Sequence, residues 1–284
     1  MSEFVFCSKE HIAEYIAKEK QWLSDGINEC LQKGHARPRL MIIQVGDNPA
    51  SNKYVKGKIS DANEVGIEAT LMKFPETITY MEMTEFIFKE RDNYHGIIVQ
   101  LPLPKHLEEC LESIQQYIYP HQDVDGFRTD SFYEPCTPLG IKNYLEYSKG
   151  KDWFVGKHAI IVGRSHIVGR PMAKMLLDKD CTVTVCHSKT KHLKAVCKNA
   201  DIIISAVGKA NMVDKNFIKN SKTTVINVGF DFIDGKMVGD IDVQSVKETT
   251  QWCTPIIGSS GLWTRLSLMQ NTFDAYVMQE GIDI

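Results

Sequence analysis

Residues 158–171, HAIIVGRSHIVGRP, constrain the fold of this chain more than any other stretch. The apolar run from His158 to Val162 reads as a short strand and Gly163 permits a sharp turn. Gly169 and Pro171 then open a helix continued by Met172, Met175 and Leu176. Free backbone N–H groups at such a helix start can hold a phosphate. The stretch departs from the dinucleotide fingerprint GxGxxG: counting from Gly163, Ser165 and Val168 occupy the second and third glycine positions, and a glycine follows one residue late. Taken alone, it fits an ordinary strand-to-helix turn as readily as a nucleotide loop.

The order of elements around it supplies context. Ile12, Tyr15, Ile16, Leu23, Ile27 and Leu31 recur at helical spacing and predict a helix over 11–32. A buried strand over 39–45 follows. Asn48 and Pro49 then supply the cap and first turn of a second helix that stops at Gly66. Strands over 69–74 and 95–99 alternate with helices over 81–91, 107–117 and 137–147. The long polar stretch QDVDGFRTDSFYEPCTPLG lies between the last two helices, and a loop of that length usually has a job. After the glycine loop the pattern repeats: strands over 182–186, 201–206 and 223–228, a helix over 191–199, and a final helix over 261–279. Such alternation predicts an α/β fold with parallel sheets. The charged connector KGKDWFVGK places a domain boundary just after Tyr147.

At 284 residues the chain is long enough for two modest domains, and its formal charge of −3 argues against a dedicated nucleic-acid or membrane-surface protein. The eight cysteines form no CxxC pair, so neither a zinc site nor a disulfide framework is indicated, and no metal is expected. The N-terminus is charged within its first ten residues, and no apolar run reaches eighteen. These features predict a cytoplasmic protein with a small-molecule partner, no nucleic acid and no membrane span.

Four places could carry chemistry. Tyr54 and Lys58 are an i, i+4 pair on the second helix, able to stack on a flat ligand and set an ammonium beside it; a solvated surface pair has the same spacing. Gln100 ends an apolar strand ahead of two prolines, where open parallel sheets bind ligands, though a turn residue tying down its own backbone also fits. Asp123 and Asp125 alternate in QDVDGF. They could bind a metal, run acid–base chemistry, accept two N–H bonds from an amino-pyrimidinone ring, or form a turn. In VTVCHSKT the strand ends on His187, Ser188 and Lys189, with no acid where an NAD site typically offers a carboxylate to the ribose. With Arg164 in the glycine loop, that charge pattern favours NADP over NAD.

Taken together, VGDNPASNKYVKGK, GIIVQLPLP, DVDGF, PCTPLG, VGRSHIVGRP, VTVCHSKT and DIIISAVG, in this order, resemble the bifunctional methylenetetrahydrofolate dehydrogenase/cyclohydrolase family. The resemblance covers nearly the whole chain. It implies a catalytic, folate-binding domain over 1–147 completed by 262–284, a Rossmann-like NADP-binding domain over 148–261, a cleft between them, and a homodimer. It also implies the chemistry: NADP+ takes hydride from 5,10-methylenetetrahydrofolate, and water opens the resulting methenyl cation to 10-formyltetrahydrofolate, a one-carbon donor for purine biosynthesis. By motif, Lys58 serves the hydrolytic step, Tyr54 stacks on the folate, Gln100 holds and tunes Lys58, and Asp125 grips the pterin, with Leu101, Gly258 and Gly261 also against substrate. Gly163, Arg164, Ser165, Gly169, His187, Ser188, Val207, Gly208 and Gly229 are the implied cofactor contacts.

Two segments depart from the family pattern. TPVPGGVGPMT is replaced by TPIIGSSGLWT at 254–264, where Ile257, Ser259, Leu262 and Trp263 add side chains expected to narrow or reshape the cleft. DVGIN is replaced by INVGFD, which exchanges acid and amide at Asn227 and Asp231. The alternatives these changes raise are a dehydrogenase without hydrolase activity and a silent folate- or nucleotide-binding protein.

Overall fold

A computed structural model describes residues 5–283. In chain order the first elements are β1 (Val5–Phe6), α1 (Lys9–Gln32), β2 (Arg39–Val45), α2 (Pro49–Val65), β3 (Glu68–Phe74), α3 (Tyr80–Glu90) and β4 (Gly96–Val99). Next come α4 (Lys105–Glu108), α5 (Leu111–Gln115), α6 (Cys136–Lys149), β5 (His158–Val162), α7 (Gly169–Leu177), β6 (Thr182–Cys186) and α8 (Leu193–Cys197). The chain finishes with β7 (Ile202–Ser205), β8 (Thr224–Asn227), β9 (Phe230–Ile233), β10 (Lys236–Gly239), α9 (Val243–Val246), β11 (Trp252–Cys253) and α10 (Ser260–Glu280).

The chain divides into two compact units, and the division falls inside α1 and α10. One runs from the N-terminus to Ile16 and from Thr137 to Thr264; the other comprises Ala17–Cys136 and the chain from Arg265 on. In the second unit, β3, β2 and β4 form a three-stranded parallel sheet in that order. Every residue of β2 after Arg39 is buried, as expected of a parallel strand covered on both faces. Its core joins Met41, Ile43 and Val45 to Ile97 and Val99 of β4, Met83 and Ile87 of α3, and Leu107 and Ile114.

In the first unit six parallel strands run in the order β1, β11, β8, β7, β5, β6. β5 has β6 on one side and β7 on the other, so the order reverses there, and the carboxyl ends of β5 and β7 mark the crevice where doubly wound sheets take ligands. Ile160, Val162, Ile203, Val225, Cys186, Cys197 and Cys253 share the core of this unit.

The expected boundary after Tyr147 moves back to 136/137 because α6 packs with the first unit. Tyr144 Oη lies 2.7 Å from Cys7 Sγ and 2.9 Å from His11 Nδ1, and its ring stands edge-on to Tyr15 at 5.4 Å. The expected helix over 107–117 is instead α4 and α5. The Cys110 N–H turns back three residues to Leu107 O at 3.0 Å, which breaks the helix there, and Leu107 and Ile114 both lie in the core. The helix expected over 191–199 shortens to α8, since His192 takes a left-handed conformation at φ 53°. The hairpin of β9 and β10 was not anticipated. Its two-residue turn is Asp234–Gly235, at φ 50° and 73°, with Ile233 paired to Lys236.

Candidate active site

α2 carries the first group of candidates. Asn48 Oδ1 accepts from Ala50 N–H at 3.0 Å and Ser51 N–H at 3.1 Å, Pro49 begins the first turn, and Gly66 closes the helix at φ 97°. The buried face includes Ser51, Val55, Lys58 and Ala62, so Lys58 belongs to the interior side of the helix. Its side chain is 3% exposed, which excludes the solvated-pair alternative. The ammonium stands 5.3 Å from the centre of the half-buried Tyr54 ring, and among the described residues no carboxylate pairs with it. Burying an unpaired ammonium is costly, so the arrangement stores a polar group for a purpose other than stability.

Gln100 follows β4. Its N–H donates to Ile43 O at 2.8 Å and its Nε2 to Leu101 O at 2.7 Å, so it does tie down its own turn. Oε1 is nevertheless buried without a partner, an acceptor left open at the strand end. Ser51 Oγ of α2 also donates to Leu101 O, at 3.1 Å, which fixes the start of α2 to the end of β4.

The QDVDGF segment is rigidly held. Asp123 accepts from Arg128 N–H at 2.8 Å, and Arg128 Nη1 reaches Gln115 O at 2.9 Å and Ile118 O at 3.1 Å. Asn271 Nδ2 of α10 donates to Val124 O at 2.9 Å and Glu134 O at 3.1 Å. Burial pushes the Asp123 carboxyl up to about 6, with the Asp125 charge acting the same way and the Arg128 N–H opposing. Asp125 is 7% exposed. Cys136, which sequence reasoning passed over, joins these residues. Its thiol donates to Val124 O at 3.2 Å and feels the charges of both Asp125 and Lys58; burial first, then Asp125, hold it well above the ordinary thiol range. Asp123, Asp125 and Cys136 are thus buried together inside the second unit, within reach of the Lys58 charge.

In the first unit, β5 ends at Gly163, whose φ of 129° favours glycine and whose missing Cβ would strike Ala206 O. A Cβ on Gly169 would strike Gly163 O, so both glycines serve close packing of strand, loop and helix. Ser165 Oγ accepts from Val168 N–H at 3.2 Å and Gly169 N–H at 3.4 Å, replacing bare backbone with a side-chain cap. Arg164 and Ser165 are exposed. At the end of β6, His187 N–H donates to Thr190 Oγ1 at 2.9 Å, and its Nδ1 accepts from Lys189 N–H at 3.2 Å, leaving Ser188 and Lys189 exposed. Cations and hydroxyls with no carboxylate at this strand end fit a nucleotide bearing an additional phosphate.

Asp240 organises the neighbouring loop and was not singled out from sequence. Fully buried, its carboxylate accepts from Ser205 Oγ at 2.9 Å, Val207 N–H at 2.8 Å and Lys209 N–H at 2.7 Å. A Cβ on Gly229 would collide with it, which accounts for that glycine. Val207 and Gly208 are exposed. Asn227 is structural: Nδ2 donates to Gly229 O at 3.2 Å and Oδ1 accepts from Ile241 N–H at 3.1 Å. Asp231 is exposed and accepts from Phe232 N–H at 2.8 Å.

The 254–264 segment differs from expectation at Trp263. That ring is 1% exposed and stacks on Tyr144 at 4.3 Å and 16°, filling the core of its own unit. Ser259 is buried and donates to Pro255 O at 2.6 Å. Ile257, 67% exposed, is the added side chain that stands in solvent. Gly258 has φ 86°, and Gly261 lies exposed in the first turn of α10.

Comparison with known proteins also gives two parts, with the change near residue 130 in both divisions but the chain ends assigned differently. A family profile described as "Tetrahydrofolate dehydrogenase/cyclohydrolase, catalytic domain" matches residues 9–125, and one described as the "NAD(P)-binding domain" of the same family matches 135–280. The "Bifunctional protein FolD" of an Exiguobacterium species is 39% identical over 269 residues, 91% of this chain and 94% of that one. The crystal structure of bifunctional FolD methylenetetrahydrofolate dehydrogenase/cyclohydrolase from Campylobacter jejuni superposes with a TM-score of 0.89 at 37% identity, covering 97% of this chain and all of that one. A Trypanosoma brucei FolD structure, complexed with NADP cofactor and inhibitor, gives 0.89 at 26% identity and 99% coverage of both chains.

Proposed function

The chain belongs to the tetrahydrofolate dehydrogenase/cyclohydrolase family, and on that premise we propose the roles of its residues in the family's two reactions. The enzyme is an NADP-dependent methylenetetrahydrofolate dehydrogenase and a methenyltetrahydrofolate cyclohydrolase of one-carbon metabolism. We assign folate to the second unit and the nucleotide to the first.

The buried, unpaired Lys58 beside Tyr54 carries the hydrolytic assignment. Tyr54 offers a ring face to the folate. Asp125 accepts two N–H bonds from the amino-pyrimidinone edge, which orients the one-carbon bridge. NADP+, when bound, supplies the hydride acceptor for the oxidative step. The methenyl cation is then open to water. Lys58 stabilises the adduct oxygen and handles its proton, and the open Oε1 of Gln100 is the acceptor we assign to the ammonium once substrate is bound. Leu101, beside Gln100, adds a further substrate contact in the same unit. On the nucleotide, Gly163, Ser165 and Gly169 face the pyrophosphate, Arg164, His187 and Ser188 the 2′-phosphate, and Val207, Gly208 and Gly229 the remaining contacts.

Retention of a buried Lys58 beside Tyr54, with Gln100 also buried in the same unit, favours a bifunctional enzyme over a dehydrogenase alone or a silent binding protein. The test is absorbance of the methenyl product formed from methylenetetrahydrofolate with NADP+ or NAD+, followed by its decay. We expect formation with NADP+ and then enzyme-dependent decay; no signal with either nucleotide would overturn the enzymatic reading.

We also assign a homodimer, a cytoplasmic location and a supply role for purine biosynthesis. Phe230, Phe232, Ile233 and Met237 leave a cluster of apolar side chains exposed on the β9–β10 hairpin, which supports self-association. The eight free cysteines support a reducing compartment. No helix among the described residues is long and apolar enough to cross a membrane.

A further inference from the structure

α2 buries a second polar group one turn beyond Lys58. Asp61 is 6% exposed. Residues three apart on a helix stand about 60° apart around its axis, so any rotation of α2 that displaces Asp61 displaces Lys58 with it.

Asp61 is held from two directions within its unit. Lys20 Nζ, on α1, donates to Oδ1 at 2.7 Å and also reaches Glu64 at 2.6 Å. Burial works to lower the Lys20 pKa, but hydrogen bonds to these two carboxylates carry it above its ordinary value, so the ammonium is firmly charged. Arg265 Nε, on α10, lies 2.9 Å from Asp61 Oδ2, a charge contact whose N–H is not aimed as a hydrogen bond. Asp61 is the anion both cations share.

The guanidinium also has a built seat. A Cβ on Gly57 would fall on Arg265 Nη1 and stand 2.9 Å from its Cζ. Gly57 lies inside α2 and has no positive φ, so the backbone does not demand glycine there. A glycine in mid-helix weakens the helix relative to alanine. What it supplies here is room for a guanidinium against the backbone next to Lys58. Lysine has a flexible stem, and an ammonium buried without a carboxylate is drawn toward water. Holding it inside requires that α2 not turn.

We infer that Asp61 is a positioning residue for Lys58: the Lys20–Asp61–Arg265 clamp, seated on Gly57, fixes the rotation of α2 and thereby keeps Lys58 in its buried place. The inference rests on the hydrolytic role assigned to Lys58.

Its test compares both reactions of the full-length enzyme in three variants, with circular dichroism to confirm folding. Asp61→Asn removes the shared charge. Gly57→Ala leaves every charge and improves helix propensity, yet pushes the guanidinium off its seat. Lys58→Met tests the underlying assignment. Asp61→Asn and Gly57→Ala are each expected to lower kcat for methenyl hydrolysis about tenfold with KM for the folate within about twofold, and to leave methylene oxidation within about threefold. A support role without Lys58 would lower both reactions together. Equal losses in both reactions, or wild-type hydrolysis in Asp61→Asn and Gly57→Ala while Lys58→Met is inactive, would overturn the inference. Wild-type hydrolysis in Lys58→Met would instead overturn the assignment beneath it.

Discussion

The two units solve the problem of making a site in opposite ways. In the unit built on β2 to β4, the candidate residues are long polar side chains taken out of water: Lys58 at 3%, Gln100 at 8%, Asp123 at 2% and Asp125 at 7% exposure. In the unit built on β5 to β8, Arg164, Ser165, Ser188 and Lys189 are exposed, and the buried Asp240 carboxylate ties down the 207–209 loop through the Val207 and Lys209 N–H groups. Buried groups have charge states and positions set by their neighbours, which suits proton handling. Exposed cations on a loop offer their charge to an incoming anion, which suits phosphate binding. The difference predicts that substitutions in the first group act on reaction steps and on pH dependence, and substitutions in the second on nucleotide affinity and choice.

The largest expected effect breaks the comparison if it fails. General acid–base groups typically contribute 10²- to 10⁴-fold, so Lys58→Met is expected to lower kcat for methenyl hydrolysis about 10³-fold while leaving KM for NADP+ unchanged. Steady-state decay of methenyltetrahydrofolate reads the first quantity and methylene oxidation the second. A raised KM for NADP+ would mean that the buried group acts on nucleotide binding after all.

Much of this contrast was legible in the sequence, and the part that was not has physical reasons. The spacing of Tyr54 and Lys58 and the cap at Asn48 fix a helix face, but spacing cannot say which way that face points; the burial of Ser51, Val55 and Ala62 does. Asp240 lies 35 residues after Ser205, its hydroxyl partner, and it is the β9–β10 hairpin, returning the chain so that Asp240 N–H donates to Gly229 O at 3.0 Å, that brings it to the 207–209 loop. Trp263 looked like an obstruction because a large side chain replaces a flexible one in a binding segment. Its orientation depends on Tyr144, far off in sequence, offering a stacking face. The β9–β10 hairpin did carry a local signal, Asp234–Gly235 between alternating apolar residues, which the surrounding βα pattern obscured.

A smaller effect sharpens the comparison through pH. The Asp123 carboxyl sits near 6 when folded, against an ordinary value near 4, so the folded state binds this proton more tightly than the unfolded chain. Stability from this group is therefore greatest below about pH 4, falls as pH rises from about 4 to 6, and is constant above that, the full change being about 3 kcal/mol. Asp123→Asn cannot ionise and still presents an oxygen to the Arg128 N–H. In urea unfolding, the wild type is expected to lose stability relative to this variant between pH 4 and 6, with the difference level from pH 7 upward. Parallel profiles over the whole range would remove Asp123 from the set of buried groups whose state is tuned by burial.

The smallest effect tests the exposed side of the comparison. Arg164 stands in solvent, where a charge contact with a flexible partner is worth little, but a bound 2′-phosphate would present a dianion to a guanidinium on a loop anchored by Gly163 and the Ser165 cap. Arg164→Ala is expected to raise KM for NADP+ about tenfold, equivalent to about 1.4 kcal/mol, and to leave kcat and the hydrolytic step unchanged. NAD+ lacks that phosphate, so its KM should move less than about twofold, and the preference for NADP+ should shrink by the same factor of about ten. The effect should also weaken with added salt, since an exposed ion pair is screened within about 10 Å at 0.1 M. If NADP+ and NAD+ lost affinity equally, Arg164 would be supporting the loop or the shared pyrophosphate, and the choice of nucleotide would have to be read from Ser188 and Lys189 at the end of β6.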